Sequence, residues 1–350
     1  MSQIQAIDDA GFAAAALRYG LKNAGLTNPN PCVAAIIVKR VNDAEIVVGR
    51  GVTAPGGRPH AETQAIKMAG ADARGATMYV TLEPCSHHGK TPPCADAIIN
   101  SGLARVVACM TDPDPRVAGK GLNRLKAAGI LVSSPVLASE AAQIHAPHIV
   151  SKMQQRPYVF LKMAVSSDGM IGRAGAGQVA ISGIHAWHYV QGLRAQSDAI
   201  LVGVGTVLSD DPSLTCRLPG LQTRSPKRVV LDAKNIIPAN AKILSNQGLA
   251  ETLVLNERSP AEVLKVLTKI GLQSLMIEGG AQVAKEFLTA GVVDAVHLIQ
   301  APDAVGADGI KAPLELMTDA NQFDVIDRRS LGDDRLIIYR KKGFVCSQES

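Results

Sequence analysis

The sequence predicts an α/β protein made of two domains. The chain has 350 residues, enough for two or three domains that each bury a core of their own. In both halves, short apolar runs typical of strands alternate with amphipathic stretches typical of helices. An alanine-rich, helical stretch at 133–156 joins the halves. We therefore expect domains of residues 1–150 and 151–350.

The first half begins with a predicted helix at 12–23 and the turn Asn28-Pro29-Asn30-Pro31. The later elements alternate, with strands at 32–40, 45–52, 77–82, 104–110 and 130–132 and helices at 61–70, 94–101 and 120–128. This alternation predicts a mixed or parallel sheet with helices on both faces. His60 and Cys94 then lie at the N-termini of two of these helices, where the helix dipole favours thiolate and bound hydroxide.

The second half continues the alternation after Pro157. Its predicted strands are 158–165, 198–203, 228–232, 252–255, 273–277 and 293–300, and its predicted helices are 184–195, 259–270 and 281–290. Two late strands, 322–328 and 334–341, form a predicted antiparallel pair around Gly332-Asp333.

Composition excludes several classes of protein. Hydrophobic residues make up 47% and charged residues 19%, which is typical of a globular enzyme. No apolar run approaches the roughly 18 residues of a membrane span, and the polar N-terminus does not resemble a signal peptide. The six cysteines lack the spacing of a disulfide framework, so we expect a reduced, cytoplasmic protein.

Charge and aromatic content favour a small anionic substrate. The net charge is +5 without a basic run, and residues 1–150 contain only three aromatic residues, Phe12, Tyr19 and Tyr79. Single-stranded nucleic acid is usually held by several stacking rings. We therefore expect no nucleic-acid partner and no membrane partner, and we expect a homo-oligomer.

The most informative residues are His60-Ala61-Glu62 and, after the strand at 77–82, Pro84-Cys85 and Cys94. One imidazole and two thiolates leave a fourth position on Zn²⁺ open, as in catalytic zinc sites. Glu62 is not needed as a ligand and can carry protons for the reaction. The order His-x-Glu, Pro-Cys, Cys is the signature of zinc deaminases that act on nucleobases.

The loop between the two cysteines departs from the usual deaminase pattern. Eight residues separate Cys85 from Cys94, where the generic motif has two. His87 and His88 lie in this loop and could replace a thiolate as ligand. We favour Cys94, because Pro-Pro-Cys at a helix start presents a ligand rigidly, and we expect the two histidines to be solvated or to contact substrate.

Three motifs resemble those of the bifunctional riboflavin-biosynthesis pyrimidine deaminase/uracil reductase family. They are Pro29-Asn30-Pro31, the segment 84–94, and the segment 112–121 with its Asp-Pro-Asp-Pro start. The resemblance covers nearly the whole chain. It implies an N-terminal cytidine-deaminase-like three-layer α/β/α domain and a C-terminal dihydrofolate-reductase-like α/β domain. It also implies a phosphoribosylated diaminopyrimidinone as the substrate, with Glu62 as the proton carrier.

The second half carries polar clusters at the predicted strand ends. Glu278-Gly279-Gly280 precedes a helix, an arrangement that lets backbone N–H groups approach a phosphate. No G-x-G-x-x-G motif is present, so a Rossmann dinucleotide site is not supported. Arg194 and Arg217 could each hold a substrate phosphate through forked hydrogen bonds.

The resemblance implies that this half uses NADPH to reduce the ribosyl group to the ribityl form. It places Ala164, Ala180, Thr206, Asp210 and Gly280 at the cofactor and Gln178, Arg194, Leu214, Arg217 and Glu278 at the substrate. The chain departs from the family at Gln178 and Ala180, where relatives often have Ser and Trp, and at Ala233, where Ser is common.

Two other functions remain open from the residues alone. The first is a zinc deaminase for free nucleosides or transfer RNA, fused to an unrelated domain. The long loop between the cysteines and the scarcity of aromatic residues disfavour it. The second is a zinc-stabilised binding module without catalysis, which would have no use for an acid such as Glu62 beside an open metal position.

Overall fold

The computed structural model describes residues 8–89, 91–115, 117–173, 175, 177, 179–245, 250–257 and 259–343. The chain divides into two compact units between Gln155 and Arg156. Both units are built from strands that alternate with helices, which confirms the predicted α/β class. Among the described residues, no helix is long and apolar enough to cross a membrane.

The first unit contains a mixed sheet with the strand order β2-β1-β3-β4-β5. Its strands are β1 (Ala34–Val41), β2 (Ala44–Val52), β3 (Thr77–Val80), β4 (Arg105–Ala108) and β5 (Leu131–Ser133). β1 pairs antiparallel with β2 and β3, whereas β3, β4 and β5 are parallel. The helices are α1 (Asp9–Gly20), α2 (Ala61–Ala69), α3 (Cys94–Ser101), α4 (Lys120–Ala127), α5 (Ala138–Ile144) and α6 (Ala146–Gln154).

Helices cover both faces of this sheet. Ile36 and Val38 of β1 share an apolar cluster with Ala16 of α1. Ile37, which points to the opposite face, belongs to a second cluster with Ala65 of α2. The first unit is therefore a three-layer α/β/α sandwich, as expected. α1 begins three residues before the predicted helix, because the Asp8 side chain accepts a hydrogen bond from Gly11 N and caps it there.

Two glycines of β2 bring α2 close to the sheet. A Cβ atom at Gly51 would lie 2.1 Å from the carbonyl oxygen of Ala61, and one at Gly49 would lie 2.3 Å from that of Ala65. Only residues without a Cβ permit this approach of two backbones. The N-terminus of α2, where His60 lies, is thereby held against the sheet.

The second unit contains a larger sheet with the order β10-β9-β8-β11-β6-β12-β15-β14. Its strands are β6 (Tyr158–Val165), β8 (Ala199–Gly203), β9 (Lys227–Leu231), β10 (Thr252–Leu255), β11 (Ser274–Glu278), β12 (Ala295–Gln300), β14 (Phe323–Leu331) and β15 (Asp334–Lys341). The strands from β10 to β12 are parallel, and β15 and β14 complete the sheet as the predicted antiparallel pair. A separate antiparallel pair is formed by β7 (Met170–Arg173) and β13 (Gly309–Lys311).

The helices of the second unit are α7 (Ile184–Gln196), α8 (Val204–Asp210), α9 (Pro260–Lys269), α10 (Ala281–Thr289) and α11 (Leu314–Met317). α9 and α10 pack in an apolar cluster on one face of the sheet, and α7 and α8 pack in a cluster on the other. Sequence patterns did not predict β7, β13, α8 or α11. These elements span seven residues or fewer, too short to show a period.

Candidate active sites

The three predicted zinc ligands converge in the first unit. His60 lies at the N-cap of α2, Cys94 is the first residue of α3, and Cys85 follows β3 in a loop. The His60 Nδ1 atom is 3.3 Å from Cys94 Sγ and 3.7 Å from Cys85 Sγ. Within the described residues, these three form the group of side chains able to hold a metal ion, with ligand atoms within 4.8 Å of one another.

This donor set fits zinc. Bond lengths of about 2.0–2.3 Å in a tetrahedral site separate neighbouring ligand atoms by about 3.3–3.8 Å, as observed here. Hydrogen bonds to the Cys85 sulfur lower the pKa of its thiol to about 4. The largest effect comes from the Cys94 thiol, and His60 and the backbone N–H of Cys94 add to it. A thiolate is the form that binds a metal. His87 and His88 are exposed and stand outside the group.

Glu62 lies in the first turn of α2, one residue beyond the helix start, and is only 3% exposed. Burial, together with the neighbouring Cys85, raises the pKa of its carboxyl group to about 7. A carboxyl group with a pKa near neutrality can both accept and return a proton. This burial and this pKa suit the role of proton carrier that the sequence predicts for Glu62.

Asn30 of the Pro-Asn-Pro turn contacts His60, the histidine that is predicted to bind zinc. Its side-chain nitrogen donates to the carbonyl oxygen of Gly57 at 2.7 Å and lies 3.5 Å from His60 Nε2, the ring nitrogen that faces away from the sulfurs. Contacts to the outer nitrogen orient a ligating histidine. The sequence singled out this turn as a family motif without revealing its contact with His60.

Glu83 organises the segment 112–121, the third family motif. The Glu83 carboxylate is buried and accepts backbone hydrogen bonds from four residues of this region, Asp112, Gly119, Gly121 and Leu122. A Cβ at Gly121 would lie 2.0 Å from the carbonyl oxygen of Pro84, so glycine is required for this packing. The motif therefore holds the Glu-Pro-Cys turn that presents Cys85.

In the second unit, Glu278 at the end of β11 lies between two cations. Arg194 binds it in a bidentate pair with both N–O distances 2.9 Å, and Lys162 Nζ of β6 lies 3.6 Å away. Burial alone would raise the pKa of Glu278, but Arg194 and Lys162 lower it to about 2. Lys162 was not predicted as a site residue, because its pairing with Glu278 comes from the register of β11 with β6.

Thr206 and Gly280 lie together at the carboxyl ends of the parallel strands. Gly279 and Gly280 both have positive φ, and a Cβ at Gly280 would lie 3.2 Å from Thr206 Oγ1. Gly280 forms the N-cap of α10, so the first backbone N–H groups of that helix remain available to a phosphate. This arrangement fits the diphosphate of a dinucleotide cofactor.

The other residues predicted to bind substrate or cofactor in the second unit differ in their exposure to solvent. Arg217 is exposed, with its guanidinium 5.6 Å from the ring centre of Trp187. Leu214 is buried, and Ala164 and Asp210 are half-buried near the ends of β6 and α8. Ala180 and Ala233 are exposed in loops, and Gln178 lies outside the described residues.

Comparisons with known proteins agree with this division of the chain. Residues 8–110 match the cytidine and deoxycytidylate deaminase zinc-binding region, and residues 157–329 match the RibD C-terminal domain. Riboflavin biosynthesis protein RibD of Escherichia coli K12 is 39% identical over 94% of this chain and 98% of its own length. RibD of Mycobacterium tuberculosis H37Rv is 37% identical over 96% and 98%.

Solved structures give the same result. Diaminohydroxyphosphoribosylaminopyrimidine deaminase/5-amino-6-(5-phosphoribosylamino)uracil reductase from Thermotoga maritima has a TM-score of 0.83 at 32% identity, covering 95% of this chain and 98% of its own. Acinetobacter baumannii RibD has a TM-score of 0.84 at 33% identity, covering 95% and 99%. The cofactors of such enzymes are Zn²⁺ and NADPH, as the sequence predicts. The chain therefore belongs to the RibD family of bifunctional deaminase/reductases of riboflavin biosynthesis.

Proposed function

We propose that the first unit deaminates 2,5-diamino-6-(5-phosphoribosylamino)pyrimidin-4(3H)-one by zinc-dependent hydrolysis, and that the second unit reduces 5-amino-6-(5-phosphoribosylamino)uracil with NADPH. The observation that carries the first assignment is the convergence of His60, Cys85 and Cys94 beside the buried Glu62. The name of the Thermotoga relative supports both substrates. We assign the deaminase to residues 1–150 and the reductase to residues 151–350.

In the deaminase, His60, Cys85 and Cys94 hold the metal and leave one position open. Zinc, when bound there, supplies a Lewis acid that lowers the pKa of water. Glu62 takes a proton from the attacking water and delivers one to the departing amino group, which leaves as ammonia. Its burial keeps bulk water from exchanging these protons.

In the reductase, NADPH, when bound, supplies the hydride. Thr206 and Gly280 bind its diphosphate, and Ala164, Ala180 and Asp210 line the rest of the cofactor site. Glu278 and Arg194 contact the substrate. Arg194 also fixes the carboxylate of Glu278, and Lys162 lies beside it. Leu214 and Arg217 contact the phosphoribosyl group of the substrate, where Arg217 offers a forked donor to the phosphate. The family resemblance adds Gln178 to this substrate site.

We also propose that the chain forms a homo-oligomer and resides in the cytoplasm. A reducing compartment would keep Cys85 and Cys94 from forming disulfides, so that both remain able to bind the metal. Light scattering of the purified protein measures the oligomeric state, and fractionation of cells shows where the protein resides.

One assay tests the proposed reactions. The phosphoribosylated diaminopyrimidinone is supplied with and without NADPH, and the products are identified by mass. We expect the deaminated uracil without NADPH and the ribitylamino product with it. Turnover of cytidine, with none of the diaminopyrimidinone, would instead identify a deaminase for free nucleosides.

A further inference from the structure

A polar cavity of about 280 Å³ lies within the second unit. Its lining residues are Ser213, Thr215, Arg217, Arg228, Lys242, Ser245 and Ala250. Three of them are cations and three carry hydroxyl groups, and none of the seven is acidic. Except for Arg217, these residues are not among those that the family resemblance places at the substrate or the cofactor.

Arg228 of β9 is the unusual member of this lining. It is 3% exposed, and its guanidinium contacts backbone carbonyl oxygens, 2.7 Å from that of Ala250 and 3.4 Å from those of Ser213 and Ser245. Its Nε atom has no hydrogen-bond partner in the described part of the chain. Nor does any described carboxylate lie within ion-pair distance of it. A buried cation of this kind is stabilised when an anion enters beside it.

The remaining cations of the cavity differ in their pairing. Lys242 is neutralised by Asp211, with Nζ and Oδ2 3.3 Å apart. Arg217 rests against Trp187, and among the described residues no carboxylate forms an ion pair with it. The uncompensated positive charge of the cavity therefore belongs to Arg217 and Arg228. Two guanidinium groups and several hydroxyl groups form a donor set suited to a phosphate monoester.

We propose that this cavity receives the phosphate ester of the reductase substrate, with Arg228 as a binding residue beside Arg217. The proposal rests on the proposed function and adds Arg228 to its substrate site. NADPH also carries a phosphate monoester. The substrate is favoured because Ser213 and Thr215 flank Leu214, one of the proposed substrate residues, whereas Thr206 and Gly280 are the proposed cofactor residues.

The first test is Arg228→Gln in the full-length enzyme, since Gln keeps donors for the carbonyl oxygens but loses the charge. We expect KM for the phosphorylated uracil intermediate to rise about tenfold or more, because a charge-assisted contact is lost. KM for its dephosphorylated analogue should not change. Arg335→Gln removes an exposed charge five strands away on β15 and should leave both constants unchanged.

A second variant covers the outcome in which Arg228→Gln fails to fold. Ser213→Asp places a carboxylate beside Arg228, so the fold retains a partner for the buried charge while phosphate is repelled. It should raise KM only for the phosphorylated intermediate. If Arg228→Gln or Ser213→Asp folds and reduces both substrates with the parent constants, Arg228 only supports the loops and the proposal is overturned.

Two further measurements separate the sources of phosphate. Trp187 is the only tryptophan of the chain and touches Arg217, so its fluorescence should report titration with inorganic phosphate. Arg228→Gln should weaken that titration. If the variant instead loses the preference for NADPH over NADH and keeps the substrate constants, the cavity holds the cofactor phosphate, contrary to the proposal. If the parent reduces neither substrate, the proposed function itself fails, whatever phosphate binding shows.

Discussion

Two buried glutamates show how neighbouring groups decide the charge of a carboxyl group. Glu62 lies beside the Cys85 thiolate, and burial with that negative neighbour raises its pKa to about 7. Glu278 is also buried, yet Arg194 and Lys162 overcome the effect of burial and lower its pKa to about 2. The first glutamate is suited to moving protons, and the second is suited to remaining a fixed anion.

Glu62→Gln should keep one zinc per chain and lose deamination by at least about a hundredfold, because the amide cannot carry protons. Cys94→Ser should lose the metal. Zinc is measured by atomic absorption and ammonia release by a coupled assay. His87→Asn and His88→Asn serve as controls, and loss of zinc in either of them would contradict the assigned ligands.

Arg194→Ala should destabilise the second unit by about 3–5 kcal/mol, because Glu278 keeps its charge but loses the bidentate partner. The measurement is the urea unfolding transition. Arg217→Ala is the matched control, since the same residue type is exposed there and should cost about 0.5 kcal/mol or less. Equal effects of the two substitutions would show that the pair with Glu278 does not stabilise the unit.

At the scale of elements, the close packing of α2 on β2 determines where His60 lies. Gly51→Ala would place a Cβ 2.1 Å from the carbonyl oxygen of Ala61, so α2 must move away from the sheet. We expect zinc affinity to fall at least about tenfold, since metal ligands tolerate displacements of only a few tenths of an ångström. Competition with a chelator measures this affinity.

Gly172→Ala provides the control for that substitution. Gly172 lies in a strand, β7, where an added Cβ would have no atom of the described residues within 4 Å. This variant should bind zinc like the parent. Parent-like zinc affinity in Gly51→Ala would mean that the helix start is positioned by other contacts.

Two buried histidines anchor α5 and α6, the last two helices of the first unit. His145 Nε2 lies 3.1 Å from Thr81 Oγ1 at the end of β3, and His148 Nε2 lies 3.1 Å from Asp112 Oδ1. Burial, with a smaller effect from His148, lowers the pKa of His145 to about 3. His145 therefore remains neutral in the folded chain well below its ordinary pKa.

This histidine makes stability depend on pH. Below about pH 6.5 the unfolded chain binds a proton at His145 that the folded chain does not, so the free energy of unfolding falls as the pH decreases toward 3. Between pH 7 and 5, the parent should lose about 2 kcal/mol more than His145→Gln. Urea titrations at both pH values measure the difference. The exposed His88→Gln should follow the parent, and a parent-like slope in His145→Gln would exclude this role.

At the scale of the whole molecule, each unit carries its own set of candidate groups, so the two activities should be separable. Glu62→Gln should make no reduced product from the diaminopyrimidinone, yet it should oxidise NADPH at the parent rate when given the deaminated intermediate. Asp210→Ala should release ammonia normally and accumulate the unreduced intermediate. Loss of that NADPH oxidation in a folded, zinc-loaded Glu62→Gln variant would show that the two sites are coupled.

The sequence by itself determined the α/β class, most of the elements and the family, and it predicted which residues hold zinc and which one carries protons. These are local properties, because the spacing of apolar residues and the His-x-Glu motif involve residues that are close together in the sequence. α3, β6, β10 and β15 were predicted with their observed bounds. The short elements α8 and β7 were missed, because their formation depends on what they pack against.

Only the tertiary structure decided which distant side chains share a charge or a cavity. Glu278 meets Arg194 and Lys162 across 84 and more residues through the register of β11 with β6 and the packing of α7. In the sequence, Arg228 is a cation at the start of an apolar predicted strand. The fold buries it in the lining of a cavity, where no described carboxylate pairs with it. Such pairings follow from strand order and side-chain direction, which no local pattern specifies, because the free energy of a buried charge depends on all of its neighbours at once.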